Sequence, residues 1–189
     1  MGGVARQYFD RLYADDADPW GFEDRWYEHR KYDLTLAALP EPRYRAGFEP
    51  GCSIGVLSER LAERCDSLLV CDHITGPLER AAARLRDCPQ VRVERLRIPE
   101  SWPEERFDLI VLSELVYYFE RDEAERIRDL TLSSASPGAT VVAVHWRGET
   151  DYPLSGDEAH ELLGRDPELV PVARHLERDF RIDVWKRAS

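Results

Sequence analysis

The chain has 189 residues, 43% of them apolar and 33% charged, with 37 acidic against 26 basic side chains and a formal net charge of −11. That length suits one compact domain with a sheet covered by helices and is too short for two catalytic domains. The acidic balance argues against a nonspecific nucleic-acid binder, which needs an excess of Lys and Arg to neutralise phosphates.

Val4, Tyr8 and Leu12 mark a short first helix. Asp18-Pro19-Trp20-Gly21-Phe22 is a turn signal, and a helix from about Asp24 to Leu39 carries Trp26, Tyr27, Arg30, Lys31 and Leu34. Residues 1–40 thus stand outside the sheet, either packed on it with snorkelling cations or lying as a lid over whatever binds at the strand ends. The core then runs over 44–189. Tyr44–Glu49 leads into the small-residue turn Pro50-Gly51-Cys52-Ser53-Ile54-Gly55, and Ile54, Leu57 and Leu61 have helical spacing after it. Ser67–Asp72 is a second strand, and Gly76-Pro77 opens a helix with Leu78, Ala81, Ala82 and Leu85 on one face.

Val91 and Val93 alternate in a third strand, and Phe107–Leu112 is an apolar run of the kind buried on both faces. A helix over Asp122–Leu132 follows, then a break at Pro137-Gly138 and a strand Ala139–Trp146. Ser155 and Glu158 form a capping box for a helix through Leu163. Two strands close the chain near Leu169–Ala173 and Asp179–Trp185. In the second, Phe180, Ile182 and Val184 alternate with charged residues, the pattern of an antiparallel strand with one wet face. Five parallel-type units and a terminal pair predict an α/β sheet flanked by helices.

No apolar run approaches the ~20 residues that cross a bilayer; Leu109–Leu112 and Val141–Val144 are among the longest. Met1–Asp10 has no signal-peptide core, and Arg6 stands where a myristoylation signal needs Ser or Thr, so a cytoplasmic protein without a membrane partner is expected. The cysteines (Cys52, Cys65, Cys71, Cys88) form no C-x-x-C pair and the histidines no ligand cluster, so free thiols and no metal site are expected.

Ligands of open parallel sheets bind outside the carboxyl ends of the strands. Glu49–Gly55, Asp72, Arg97-Ile98, Ser113-Glu114 and His145-Trp146 fall at those ends. Gly51 and Gly55 permit a sharp turn and close approach to a ligand. Asp72 has the spacing of an acid that accepts from a ribose diol. Together they point to a nucleoside cofactor. Ser53 occupies the middle-glycine place of a dinucleotide fingerprint, and Glu49 ahead of the turn repels pyrophosphate but suits a cationic ligand such as S-adenosylmethionine. No Gly-Lys-Ser/Thr follows, which excludes a P-loop.

The run Glu49-Pro-Gly-Cys-Ser-Ile-Gly-Val-Leu resembles motif I of class I S-adenosylmethionine-dependent methyltransferases. Asp18-Pro-Trp-Gly, Trp26-Tyr-Glu-His-Arg-Lys-Tyr, Leu112-Ser-Glu-Leu and Val144-His-Trp-Arg are similar to the NodS-like methyltransferases, a group that includes N-methyltransferases of nodulation-factor synthesis. The similarity runs from about Tyr8 to His160. It implies a Rossmann-like seven-stranded class I methyltransferase sheet with an N-terminal helical lid. It also implies Gly51 and Gly55 at the methionine end of the donor, with Glu49 near its amino group and Cys52 and Ser53 in the same loop. Asp72 would hold the ribose hydroxyls, and Ser113 and Glu114 would lie beside the methyl group. Trp20, Tyr27 and Arg30 would close the pocket from the lid, Arg30 pairing with the donor's carboxylate. Two departures from the family bear on the adenine end. Arg97 replaces the acid that accepts from the adenine amino group, leaving the backbone near Ile98 to do so or donor affinity weaker. His73-Ile74-Thr75, with His73 counted among the donor-binding residues, stands where a short Ser/Ala-containing turn is usual.

His145 is either a base for an amine or hydroxyl or a hydrogen-bonded structural residue. Glu114 either orients an incoming ammonium or bridges to the lid, and Tyr117 and Tyr118 line an acceptor cleft or the core. The expected activity is methyl transfer to a small molecule, an amino sugar or similar amine foremost. O-methylation is the enzymatic alternative, and a non-catalytic nucleoside-binding protein is the rival that Arg97 favours. An NAD-dependent dehydrogenase comes last.

Overall fold

A computed structural model describes residues 6–188. Helices α1 (Arg6–Asp15) and α2 (Trp26–Ala38) precede the sheet, whose elements alternate as β1 (Gly47–Pro50), α3 (Val56–Ala62), β2 (Leu68–Asp72), α4 (Thr75–Arg84), β3 (Val91–Arg95) and β4 (Phe107–Ser113). A 3-10 turn at Val116–Tyr118, α5 (Arg121–Ser134), β5 (Ala135–Trp146), α6 (Gly156–Leu163), β6 (Leu169–Leu176) and β7 (Phe180–Arg187) complete the chain. The strand order is β3-β2-β1-β4-β5-β7-β6. Strands β1 to β5 pair in parallel, and β7 runs antiparallel between β5 and β6. This is the expected class I methyltransferase sheet.

Period-2 alternation along the central strands feeds two cores. Leu109, Val111, Val142 and Val144 point to the face covered by α2, α3 and α4 through Tyr32, Leu61 and Ala81. Ile110, Leu112, Val141 and Ala143 point to the face covered by α5 and α6 through Ile127 and Leu162. Both faces of β4 are therefore dry, which is why it reads as an unbroken apolar run. The Ser155–Glu158 capping box forms as the sequence predicts.

Three expectations need correction. Pro137-Gly138 does not break the chain before β5. The strand starts at Ala135, and the two residues lie in a register jump between the Phe107–Ala135 and Leu109–Thr140 pairs, with Gly138 at φ +75°. Strand β7 has no wet face, because α6 covers the face that carries Arg181, Asp183 and Trp185. Arg181 and Asp183 are 8% and 2% exposed, and they are tolerated because Arg181 pairs with Asp157 and Asp183 accepts from His160 and Arg174. In the first helix Val4 lies outside the described residues and Tyr8 is exposed; Phe9 and Tyr13 are the residues that face the ligand cavity.

Helix α2 buries Glu28, Lys31, Tyr32 and Thr35, an i, i+3, i+4, i+7 stripe that is mostly polar. Arg80 and Arg84 of α4 fasten the preceding loop by pairing with Glu23. Asp18 accepts from the Phe22 and Glu23 backbone N–H groups at 2.9 Å each. The N-terminal segment is thus tied across the carboxyl ends of the strands.

Candidate active site

A cavity of about 1000 Å³ opens at the carboxyl edge of the sheet, between the strand ends and the N-terminal segment. The β1–α3 loop forms its floor. Gly51 at φ +78° and Ser53 at φ +50° turn the chain through left-handed conformations, and a Cβ on Gly51 would meet Leu115 Cδ1 at 2.9 Å. The backbone N–H of Ser53 donates to Asp72 Oδ2 at 3.1 Å, and that of Ile74 donates to Oδ1 at 2.9 Å. Asp72 is thereby fixed with its carboxylate on the cavity wall. Tyr13 from α1 meets the Ser53 hydroxyl at 2.5 Å, closing the loop from above.

Glu49 lines the same end and is 3% exposed. Burial pushes its carboxyl up to about 7, against the opposing pull of the Ser58 hydroxyl, which donates to it at 2.5 Å. Burial likewise keeps the Cys52 thiol protonated. Cys52, Ser53, His73, Ile98 and Ser113 all line the cavity, as do Trp20 and Tyr27 from the N-terminal segment.

Glu114 ends β4 in a left-handed conformation at φ +49°. Its Oε1 accepts from Lys31 Nζ at 2.7 Å, and its Oε2 accepts from the Tyr117 hydroxyl at 2.6 Å and the Trp146 N–H at 3.0 Å. Lys31 also sits 2.9 Å from Glu28. Glu114 therefore does bridge to the lid, while its carboxylate and Tyr117 still face the cavity.

Three sequence-predicted residues do not stand where expected. Arg30 points away and grips Glu177 with two hydrogen bonds of 2.8 and 2.6 Å, so its guanidinium is already paired. Of the three cations on the wall, Lys31 and Arg97 pair with Glu114 and Glu100, and Arg25 pairs with no carboxylate among the described residues. Gly55 is not among the described wall residues. Its φ of +78° and the 3.1 Å approach that a Cβ would make to Ala81 give it a helix-packing role instead. His145 is fully buried behind the wall. Its Nε2 accepts from the Val116 N–H at 3.1 Å, and burial, with His160, Lys31 and Arg181 nearby, drives its pKa well below the usual histidine range. That bond holds the turn after β4 and occupies the lone pair a base would use.

Arg97 does line the cavity, and an acid that the sequence reading did not single out stands beside it. Glu100 lies on the wall 3.6 Å from the Arg97 guanidinium. It comes three residues later because the backbone turns back at Ser101, whose N–H donates to the Arg97 carbonyl at 2.7 Å. Spacing alone gave no signal for Glu100. Lys31, Glu28 and Arg25 were missed for a related reason: the sequence shows a helix rich in charge but not which charges turn inward.

The NodS family model, described as Nodulation protein S, matches residues 5–133. Nodulation protein S of Bradyrhizobium diazoefficiens is 31% identical over 140 residues, covering 72% of this chain and 66% of the relative. The chain spans from about half to two thirds of the length of the curated relatives it matches. Among solved structures, a Pseudomonas syringae protein assigned as a methyltransferase is 47% identical with a TM-score of 0.78, covering 86% of this chain and all of its own. The N-methyltransferase NodS of Bradyrhizobium japonicum WM9, solved in complex with S-adenosyl-L-homocysteine, is 25% identical with a TM-score of 0.87 over 97% of this chain and 98% of its own. The family match takes in well over half of the residues, and the chain belongs to the NodS family.

Proposed function

We propose that this chain transfers the methyl group of S-adenosylmethionine to the nitrogen of a small hydroxylated amine, with an amino sugar as the acceptor class. One observation supports this above the rest: the cavity wall carries Glu49, Asp72, Glu100 and Glu114, while Lys31 and Arg97 on the same wall are already paired. Such a wall attracts cationic ligands and repels phosphates. The NodS relative solved with S-adenosyl-L-homocysteine supports the donor.

The residues fit that donor. Asp72 is fixed to accept from a ribose diol, Glu49 faces the place of an ammonium, and Arg25 is available to a carboxylate. Glu100 offers an acceptor at the adenine end in place of the acid that Arg97 replaced, which removes the main support for a non-catalytic nucleoside-binding protein. When bound, the donor supplies an electrophilic methyl group on its sulfonium. The protein's part is to hold the acceptor nitrogen in line with that carbon and to exclude water, which supplies most of the acceleration. Glu114, held from three sides, is the group that orients the amine.

We read the chain as one methyltransferase domain with residues 1–40 as a lid. A cytoplasmic site of action is supported by four free cysteines, which suit a reducing compartment. Among the described residues no helix is long and apolar enough to cross a membrane.

The test is calorimetry with S-adenosylmethionine, S-adenosyl-L-homocysteine and NAD, followed by S-adenosyl-L-homocysteine release with a panel of amino sugars and their hydroxyl analogues. The expected result is binding of both adenosyl compounds and turnover confined to amines. NAD binding without either adenosyl compound would overturn the donor, and turnover on hydroxyl analogues alone would move the reaction to oxygen.

A further inference from the structure

Trp146, the last residue of β5, departs from the sheet at its ligand-binding edge and lines the cavity while remaining 37% exposed. An exposed tryptophan is usually a mobile one, but here the backbone and the ring are each held by a contact. Its backbone N–H donates to Glu114 Oε2 at 3.0 Å. Its six-membered ring lies against Gly148 so closely that a Cβ there would fall 2.1 Å from Cζ2. Only a residue without a side chain fits under the ring in this position. Among the described residues no other aromatic ring stacks on it, so its free surface faces the cavity mouth.

Glu114 adds the second half of the subsite. A carboxylate offers roughly two acceptor positions per oxygen. Oε2 is filled by the Tyr117 hydroxyl and the Trp146 N–H, and Oε1 takes one bond from Lys31. One position on Oε1 is left, on a side chain that reaches the cavity. Tyr152 and Asp179 also line the cavity, adding a further aromatic surface and a further carboxylate. A rigid aromatic plane joined to a carboxylate with one open lone pair recognises a flat-sided ring that bears an N–H donor.

We infer that Trp146, seated on Gly148, is the specificity-determining platform for the acceptor and selects a pyranosyl amine over a linear one. This rests on the amino-sugar reading above and adds the residue that enforces it. Trp146 packs on the apolar C–H face of the sugar ring, and Glu114 Oε1 accepts one N–H of the amine.

The test uses the full chain saturated with S-adenosyl-L-homocysteine, titrated in a calorimeter with the β-1,4-linked glucosamine dimer and, separately, with n-hexylamine. The dimer is expected to bind W146A and G148V at least tenfold more weakly than the unsubstituted protein and W146F within threefold of it. G148V keeps the indole but pushes it off its seat, so it separates position from mere presence. S-adenosyl-L-homocysteine should bind all four proteins within twofold, which also shows that they are folded. Equal dimer affinity in W146A and the unsubstituted protein would overturn the platform. So would absence of saturable dimer binding, or hexylamine losing as much affinity as the dimer. Failure of the unsubstituted protein to bind S-adenosyl-L-homocysteine would overturn the donor reading instead.

Discussion

Replacing Lys31 with methionine tests how the lid is held. The Lys31 side chain is 2% exposed, and its partners Glu28 and Glu114 are 8% and 16% exposed. Burial alone would lower its ammonium pKa, but Glu114 and then Glu28 outweigh that and hold it above the ordinary value. Glu28 is the weaker partner: burial of its carboxyl outweighs the pull of Lys31, and its pKa is raised. Methionine preserves the packing of the stem and removes the charge, leaving two half-buried carboxylates facing each other. Breaking a buried pair by deleting one partner costs about 3–5 kcal/mol.

In a chain of this size that lowers the melting temperature by roughly 6–20 °C, measured by calorimetry or circular dichroism at pH 8. The loss has a predicted pH dependence. Without Lys31 the folded-state pKa of Glu28 rises further above its unfolded value, so the folded variant takes up a proton that the unfolded chain does not. K31M therefore recovers stability as the pH falls from 8 towards 5, and E28Q/K31M recovers part of it at pH 8. A melting temperature within 2 °C of the unsubstituted protein at pH 8, or a deficit that grows on acidification, would refute the reasoning.

Three further outcomes follow from the geometry of the site. D72A should weaken S-adenosyl-L-homocysteine binding by about 1–3 kcal/mol through lost hydrogen bonds to a charged acceptor; an unchanged calorimetric affinity would mean that the ribose is held elsewhere. Glu49, raised to about 7 by burial, contributes stability that is full below its unfolded pKa near 4.5 and is lost as the pH rises through 7, about 3 kcal/mol in all. E49Q should abolish that loss in denaturant titrations at pH 5 and 8. His145 has the opposite sign: its folded pKa is depressed, so below about 6.5 the unfolded chain takes up a proton that the fold resists. Stability then falls by up to about 1.4 kcal/mol per pH unit, a slope that H145Q should remove.

The fold was legible because its strands obey simple patterns. Phe107–Ser113 and Ala139–Val144 bury both faces and read as continuous apolar runs, and small residues mark the β1–α3 turn. The site was legible only where backbone and chemistry coincide, as at Asp72, whose place at a strand end sets its direction. It failed at Arg30 and Lys31. These are adjacent on α2 and alike in charge, and one helical step of about 100° sends one to Glu177 and the other into the cavity. Because the buried stripe of that helix is Glu28, Lys31, Tyr32 and Thr35, no apolar periodicity reveals its inward face. The alternating charges of β7 misled for the same reason: buried ion pairs imitate a wet face.

The net charge of −11 acquires a location once these pairs are known. Arg30, Arg80, Arg84 and Arg147 are occupied in fastening the N-terminal segment and the β6–β7 turn region, through Glu177, Glu23 and Asp157. Those bonds neutralise part of the periphery in pairs, while the cavity wall carries seven carboxyl side chains against three cations, and a low-dielectric surround strengthens the field of that excess. Weakening a peripheral pair, as in R30A, should loosen the lid and leave the charge of the wall as it is, whereas removing Glu114 should loosen the lid and also take one negative charge from the wall.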